Sequence, residues 1–222
     1  MRMQVIVGFT TEGSTDYRFL GSVIQRSFED LAFECKGSVE ILPVQHINGQ
    51  SGKFVEKAKK HAQEAEKLGV MVLCIHTDAD AKTDRDAFTQ RIEPAFTAIK
   101  KLPGKNACRN LVPIVPVQMT EAWMLSDKDL LKEEIGTNKS DKDLGIDRKP
   151  EAYTNPKQVI EGAIGIARAG VSKRRRRDLK IDELYLPLGQ KISLEKLKNL
   201  PSYKKFREAI LIAFRELGIY HE

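Results

Sequence analysis

Glu12, Asp78 and Asp80 are the residues of this chain whose types and spacing could do chemistry. Asp78 and Asp80 stand at i and i+2 just past an apolar run, Val70-Met71-Val72-Leu73-Cys74-Ile75, and Glu12 follows another such run at residues 3–9 (MQVIVGF). Carboxylate oxygens suit hard divalent cations such as Mg²⁺, which are held by one or two carboxylates together with phosphate and water. Three carboxylates in one crevice repel one another unless a cation offsets them. Asp16 lies one helical turn beyond Glu12, and Glu121 follows a further apolar stretch, so both are candidates for a second metal position. Two ions about 3.5–4 Å apart would clamp the attacking and leaving oxygens of a phosphodiester. Each residue also has a plainer explanation. Aspartates in loops serve turns, and Glu12, Asp16 and Glu121 are all favourable near a helix N-terminus. His76 reads as a hydrogen-bonded strand-end histidine, Asp84 and Asp86 as helix starters, and Trp123 and Met124 as core. The joint placement of the carboxylates at strand ends raises the set above any member.

The elements that must position these residues follow from periodicity. Residues 3–9, 39–44, 70–75 and 111–118 are apolar, β-branched runs that predict strands, with Pro43 marking an edge position. Between them, helices are predicted over 15–33, 53–68, 84–101 and 121–131, the second stopping at Gly69. Apolar strands alternating with helices predict an α/β fold: a Rossmann-like, mainly parallel sheet flanked by helices on both faces. In such sheets functional groups gather at the C-terminal ends of the strands, where Glu12, Asp78, Asp80 and Glu121 all fall. Residues 136–157 are polar and rich in turn formers and read as a linker or long loop. Helices are then predicted over 157–169, 193–197 and 202–217. The expected division is a catalytic domain at 1–135 and a helical, basic C-terminal extension at 136–222.

Composition bounds the function classes. With 222 residues, 41% hydrophobic and 31% charged, the chain can close a core. No apolar run approaches the ~18 residues of a membrane span, and the N-terminus lacks the pattern of a secretory signal. Three cysteines, Cys35, Cys74 and Cys108, form no CxxC pair, so neither a disulfide framework nor a cysteine zinc site is indicated, and a reducing cytoplasm is the expected home. The net charge of +6 is unevenly spread. Residues 1–150 hold 22 Lys/Arg and 22 Asp/Glu, whereas 151–222 hold 15 and 9. The peak is Lys173-Arg174-Arg175-Arg176-Arg177, a run that attracts a polyanion, although a solvated helix face or loop explains such a run equally well. Carboxylates for a metal beside cations for phosphates are what an enzyme acting on nucleic acid needs.

The pattern strand-Thr11-Glu12-Gly13-x-Thr15-Asp16, followed downstream by strand-Asp78-x-Asp80, resembles the Toprim domain. That is the metal-binding fold of topoisomerases, bacterial primases, small ribonucleases and OLD-type (overcoming lysogenization defect) nucleases. Glu121-Ala122-Trp123-Met124-Leu125-Ser126-Asp127 is similar to a stretch in a Toprim-like family of about this length, often encoded beside an ATPase in bacterial defence loci. The resemblance covers roughly residues 3–130. It implies a Mg²⁺- or Mn²⁺-dependent nuclease with Glu12, Asp78 and Asp80 as metal ligands, Asp16 and Glu121 at a second position, and Glu12 doubling as general base. Lys173–Arg177 would bind backbone phosphates. The implied partners are DNA or RNA and an ATPase protein, with self-association left open and no membrane. Thr83 stands where many Toprim domains have glycine, which points away from the topoisomerase and primase branches. Two alternatives remain: a non-catalytic Toprim-like subunit that binds nucleic acid or an ATPase, and a phosphatase of the haloacid dehalogenase type, in which the first aspartate of a DxD is the nucleophile. Gly49-Gln50-Ser51-Gly52-Lys53 lacks P-loop spacing.

Overall fold

The computed structural model describes residues 2–49, 51–169 and 179–220. The first apolar run forms two strands rather than one, β1 (Arg2–Val5) and β2 (Val7–Thr10). The break falls at Ile6, whose carbonyl accepts from the N–H groups of both Met71 and Val72, at 2.8 and 3.3 Å. The second predicted strand, 39–44, ends early as β3 (Ser38–Ile41), and after a gap β4 (Gln45–His46) lies beyond its expected end. Pro43 stands in that gap and has no N–H to give to a ladder. β1 pairs with β3, β2 pairs with β4 and with β5 (Val72–His76), and β5 pairs with β6 (Leu111–Ile114). Every pairing is parallel, and the larger sheet has the order β4-β2-β5-β6. The chain is thus an α/β fold of parallel strands flanked by helices.

All five residues of β5 are buried, as a strand covered on both faces requires. Its side chains alternate between two cores. Val72 and Cys74 join α1 (Asp16–Ala32) and the C-terminal helices. Leu73 and Ile75 pack with α2 (Phe54–Lys67) and α4 (Glu93–Lys100). The predicted helix over 84–101 is realised as α3 (Arg85–Ala87), a π-helical segment at Phe88–Ile92 and α4, end to end. α1 buries Phe19, Leu20, Val23, Ile24, Phe28 and Leu31 along one stripe.

The helix predicted over 121–131 is instead two, α5 (Thr120–Met124) and α6 (Lys128–Ile135). Asp127 restarts the chain as a helix by accepting the Leu130 N–H on its carboxylate at 3.2 Å. Residues 136–155 form a long loop, as one of the two expectations for this stretch had it, and the loop is packed onto the core. Leu144, Ile146 and Tyr153 are buried, and the Tyr153 hydroxyl accepts the Arg148 N–H at 2.8 Å while donating to the Gly145 carbonyl at 3.1 Å. α7 (Pro156–Arg168) is capped by the Asn155 side chain. After it come α8 (Tyr185–Lys191), which the periodicity does not predict, then α9 (Leu194–Leu197) and α10 (Pro201–Glu216). α8 crosses α1 at Gly189, where an added Cβ would lie 2.6 Å from the Phe19 carbonyl oxygen. One core contains Val5, Phe19 and Val72 together with Ile160, Leu188, Phe206 and Phe214, so residues on both sides of position 135 share it. Among the described residues no helix is long and apolar enough to cross a membrane.

Candidate metal centre

The C-terminal ends of β2, β5 and β6 are neighbours because the strands are neighbours and parallel. Glu12 and Asp16 come from the loop after β2 and the start of α1. Asp78 comes from the turn after β5, and Glu121 from the first turn of α5 beyond β6.

Each carboxylate is gripped through one oxygen. Glu12 Oε2 accepts the Thr77 hydroxyl at 2.7 Å. Asp16 Oδ2 accepts the Gly13 N–H at 3.0 Å. Asp78 Oδ1 accepts the Thr120 N–H at 2.9 Å and the Thr120 hydroxyl at 3.3 Å, and lies 3.2 Å from His76 Nε2. Glu121 Oε1 accepts the Tyr185 hydroxyl of α8 at 2.5 Å. Among the described residues the second oxygens of Glu12, Asp16 and Asp78 take no hydrogen bond.

Asp16, His76 and Asp78 each present a ligand atom within 4.8 Å of the others. The hydrogen bonds nevertheless assign the histidine a different part. His76 Nδ1 accepts the Glu12 N–H at 3.3 Å, which puts the ring proton on Nε2, facing Asp78 Oδ1 and the Thr120 hydroxyl. Neither nitrogen then has a lone pair to give an ion. His76 orients Asp78, and the carboxylates are the ligand candidates. Burial opposes a charge on His76, while the hydrogen bond to Asp78 and the charges of Asp78, Asp16 and Glu12 draw its pKa above the ordinary value. Charging the ring would place a proton on Nδ1 against the Glu12 N–H, so the ring in this geometry is neutral.

Burial pushes the Asp16 carboxyl up. Asp78 and Glu12 add to that shift, and the hydrogen bond from the Gly13 N–H works against it. Burial also pushes Glu121 up, opposed by the Tyr185 hydroxyl and reinforced by Asp78 and Asp16. Burial first, and neighbouring negative charge second, disfavour the ionised form of both residues, which a proton or a cation relieves.

Asp80 stands apart from this group. It adopts φ +54°, its N–H donates to the Gln118 carbonyl at 2.8 Å, and its exposed carboxylate lies 3.3 Å from Arg91 Nη1. The same nitrogen is 3.6 Å from Glu12 Oε2. Arg91 Nη2 donates to the carbonyls of Asp78 and Ala79 at 2.8 and 3.4 Å. A guanidinium thus sits between Glu12 and Asp80, where a shared ion was expected. Among the plainer readings, those of His76, Trp123 and Met124 hold: all three are buried, and both His76 nitrogens are hydrogen-bonded. Lys173, Arg174, Arg175, Arg176 and Arg177 lie outside the described residues.

A family model described as a domain of unknown function, DUF4276, matches residues 11–213. The chain belongs to the DUF4276 family. No curated protein and no solved structure matches it. The DUF4276 match takes in every carboxylate of the site and Tyr185 as well, so loops and supporting helices fall within one family unit.

Sequence reasoning missed Arg91, Thr77, Thr120 and Tyr185 as members of this site. Thr77 and Thr120 adjoin Asp78 and Glu121 and could have been found as hydroxyl donors beside candidate ligands. Arg91 and Tyr185 carry no local signal.

Proposed function

We propose that the chain is a divalent-metal-dependent phosphodiesterase that cleaves DNA or RNA. The observation that supports it most is the set of carboxylates at adjacent parallel strand ends, three of them held by one oxygen with the other left over. The donor set is all oxygen, which suits Mg²⁺ or Mn²⁺, and the upward push on Asp16 and Glu121 is what a cation would offset. Asp16 and Asp78, whose oxygens lie within 4.8 Å of each other, would hold the ion, with Glu12 on the adjoining loop as a further ligand, and Glu121, tied to Tyr185, would serve a second position. Asp80 joins only when Arg91 turns away from it. A bound divalent ion supplies Lewis-acid polarisation of the phosphoryl oxygen and a water acidic enough to attack near neutral pH. Glu12, more exposed than Asp16 and Asp78, would act as general base through Oε1. Arg91 and the Lys173–Arg177 run offset phosphate charge. The resemblance of the Glu12 and Asp78-x-Asp80 segments to Toprim nucleases supports the same reading, with a cytoplasmic setting and an ATPase partner as its corollaries.

The test is incubation with plasmid, linear DNA and RNA in Mg²⁺, Mn²⁺ or EDTA, paired with Mn²⁺ binding followed by electron paramagnetic resonance. Asp78→Asn should lower cleavage at least about 100-fold and weaken Mn²⁺ binding, while the circular dichroism spectrum stays unchanged. Cutting that survives EDTA or the substitution, or a wild-type chain that binds no Mn²⁺, would reject the assignment.

A further inference from the structure

On the α2 side of Glu12 lies a cavity of about 170 Å³, room for about six waters at ~30 Å³ each. Glu12, Lys57, His61 and Arg91 line it, with Phe54 and Ile75 as apolar wall. A more open cavity of about 510 Å³ shares Glu12, Lys57 and His61 and continues past His46 to the surface. Four nitrogen-bearing side chains, Lys57, His61, His76 and Arg91, therefore line one pocket beside the carboxylates, and both nitrogens of His76 are already engaged.

His61 makes this more than a patch of surface charge. The residue is 8% exposed, and its Nε2 is buried without a hydrogen-bond partner. A buried imidazole nitrogen left without a partner carries a desolvation cost that nothing in the fold offsets. A ligand oxygen in the cavity would remove that cost. Lys57 makes no ion pair among the described residues, although it stands close enough to His61 to act on it electrostatically. Arg91 is delivered to the rim by the π-helical segment Phe88–Ile92, and such segments recur at functional sites.

Building on the phosphodiesterase reading, we propose that this cavity is a phosphoryl-binding subsite: Lys57 and Arg91 supply the charge, and His61 supplies a buried neutral hydrogen bond from Nε2. The arrangement selects a tetrahedral dianion or diester oxygen over a carboxylate, because donors converge from α2 on one side and from the π segment on the other. His61 acts as a neutral donor at neutral pH, since burial, then Lys57 and His46, lower its pKa to about 4. In the absence of phosphate the Arg91 guanidinium rests on Glu12 and Asp80. It turns to the phosphoryl group when one enters, which also frees Asp80.

The experiment uses the full chain in EDTA, with inorganic phosphate as the probe and chloride at matched ionic strength as the control. Binding is followed by thermal shift and by the ¹⁵N resonances of the His61 ring. Phosphate should raise the melting temperature and move the His61 Nε2 resonance. Lys57→Met and Arg91→Met should each weaken phosphate about tenfold or more, and Lys57→Met should do so while keeping Mn²⁺ binding, since Lys57 touches none of the carboxylates. Phosphate that leaves the His61 resonances still, or that binds both variants as tightly as the wild type, overturns the subsite. Mn²⁺ binding without phosphate binding sinks this inference alone. Phosphate binding without Mn²⁺ binding sinks the metal reading and leaves the subsite standing.

Discussion

Tyr185 and Glu121 form a buried pair, 64 positions apart in sequence, in which one hydroxyl steadies one carboxylate. Burial and the adjacent carboxylate both push the phenol's pKa up, so it remains a donor at any ordinary pH. Tyr185→Phe removes that donor and leaves Glu121 Oε1 without it. The substitution should cost about 1–3 kcal/mol in urea denaturation at pH 7. The cost should shrink on acidification, because the Glu121 pKa lies above its ordinary value of 4.5 and the folded state holds the proton more tightly than the unfolded one. For the same reason this group favours the native state at low pH, and that contribution is lost as pH rises from 4.5 through the raised pKa. A loss that is equal at acid and neutral pH would mean the pair does not titrate as argued. Glu12, Asp16, Asp78 and Glu121 were legible in the sequence because a parallel sheet sends residues just past its strands to one edge. The position of Asp80 away from the other carboxylates was not legible because its left-handed turn depends on the carbonyl of Gln118, and Arg91 and Tyr185 were invisible because no local pattern marks them.

The helices that carry the site are fixed by one tight crossing. α1 begins with Asp16 and α8 with Tyr185, and the two meet at Gly189 with no room for a methyl group. Gly189→Ala would drive a Cβ into the Phe19 backbone, which cannot move aside as a flexible side chain can. We expect a loss of about 1–3 kcal/mol or more in chemical denaturation, accompanied by weaker Mn²⁺ binding because Tyr185 shifts with its helix. Unchanged binding in a destabilised variant would separate the crossing from the site. Most elements were legible for a simple reason: β5 is apolar throughout and α1 has a clean stripe. α8 was not, since Pro187 and Gly189 are poor helix formers and the segment is helical by virtue of its packing on α1. The break at Ile6 escaped for a related reason: an apolar run looks continuous even where a carbonyl has been diverted to a neighbouring strand.

The whole molecule is organised by a core that runs from the sheet into the C-terminal helices. Trp123 lies within it, fully buried, its indole N–H donating to the Ser202 hydroxyl at 2.7 Å and its ring edge-on to Tyr203. It is the sole tryptophan of the chain, so its fluorescence reports on the joint between α5 and α10. In urea, Trp123 emission and far-ultraviolet circular dichroism should trace one coincident transition. Two separated transitions would mean that the residues before and after position 135 melt independently. Such a joint has a genetic consequence. An interruption of the reading frame near codon 135 would leave an amino-terminal fragment holding Glu12, Asp16, Asp78 and Glu121 but none of α7 to α10, its apolar face bare to solvent. Neither half could be exchanged between genes without the other, and supplying the missing piece in trans would have to rebuild an interior rather than dock a surface.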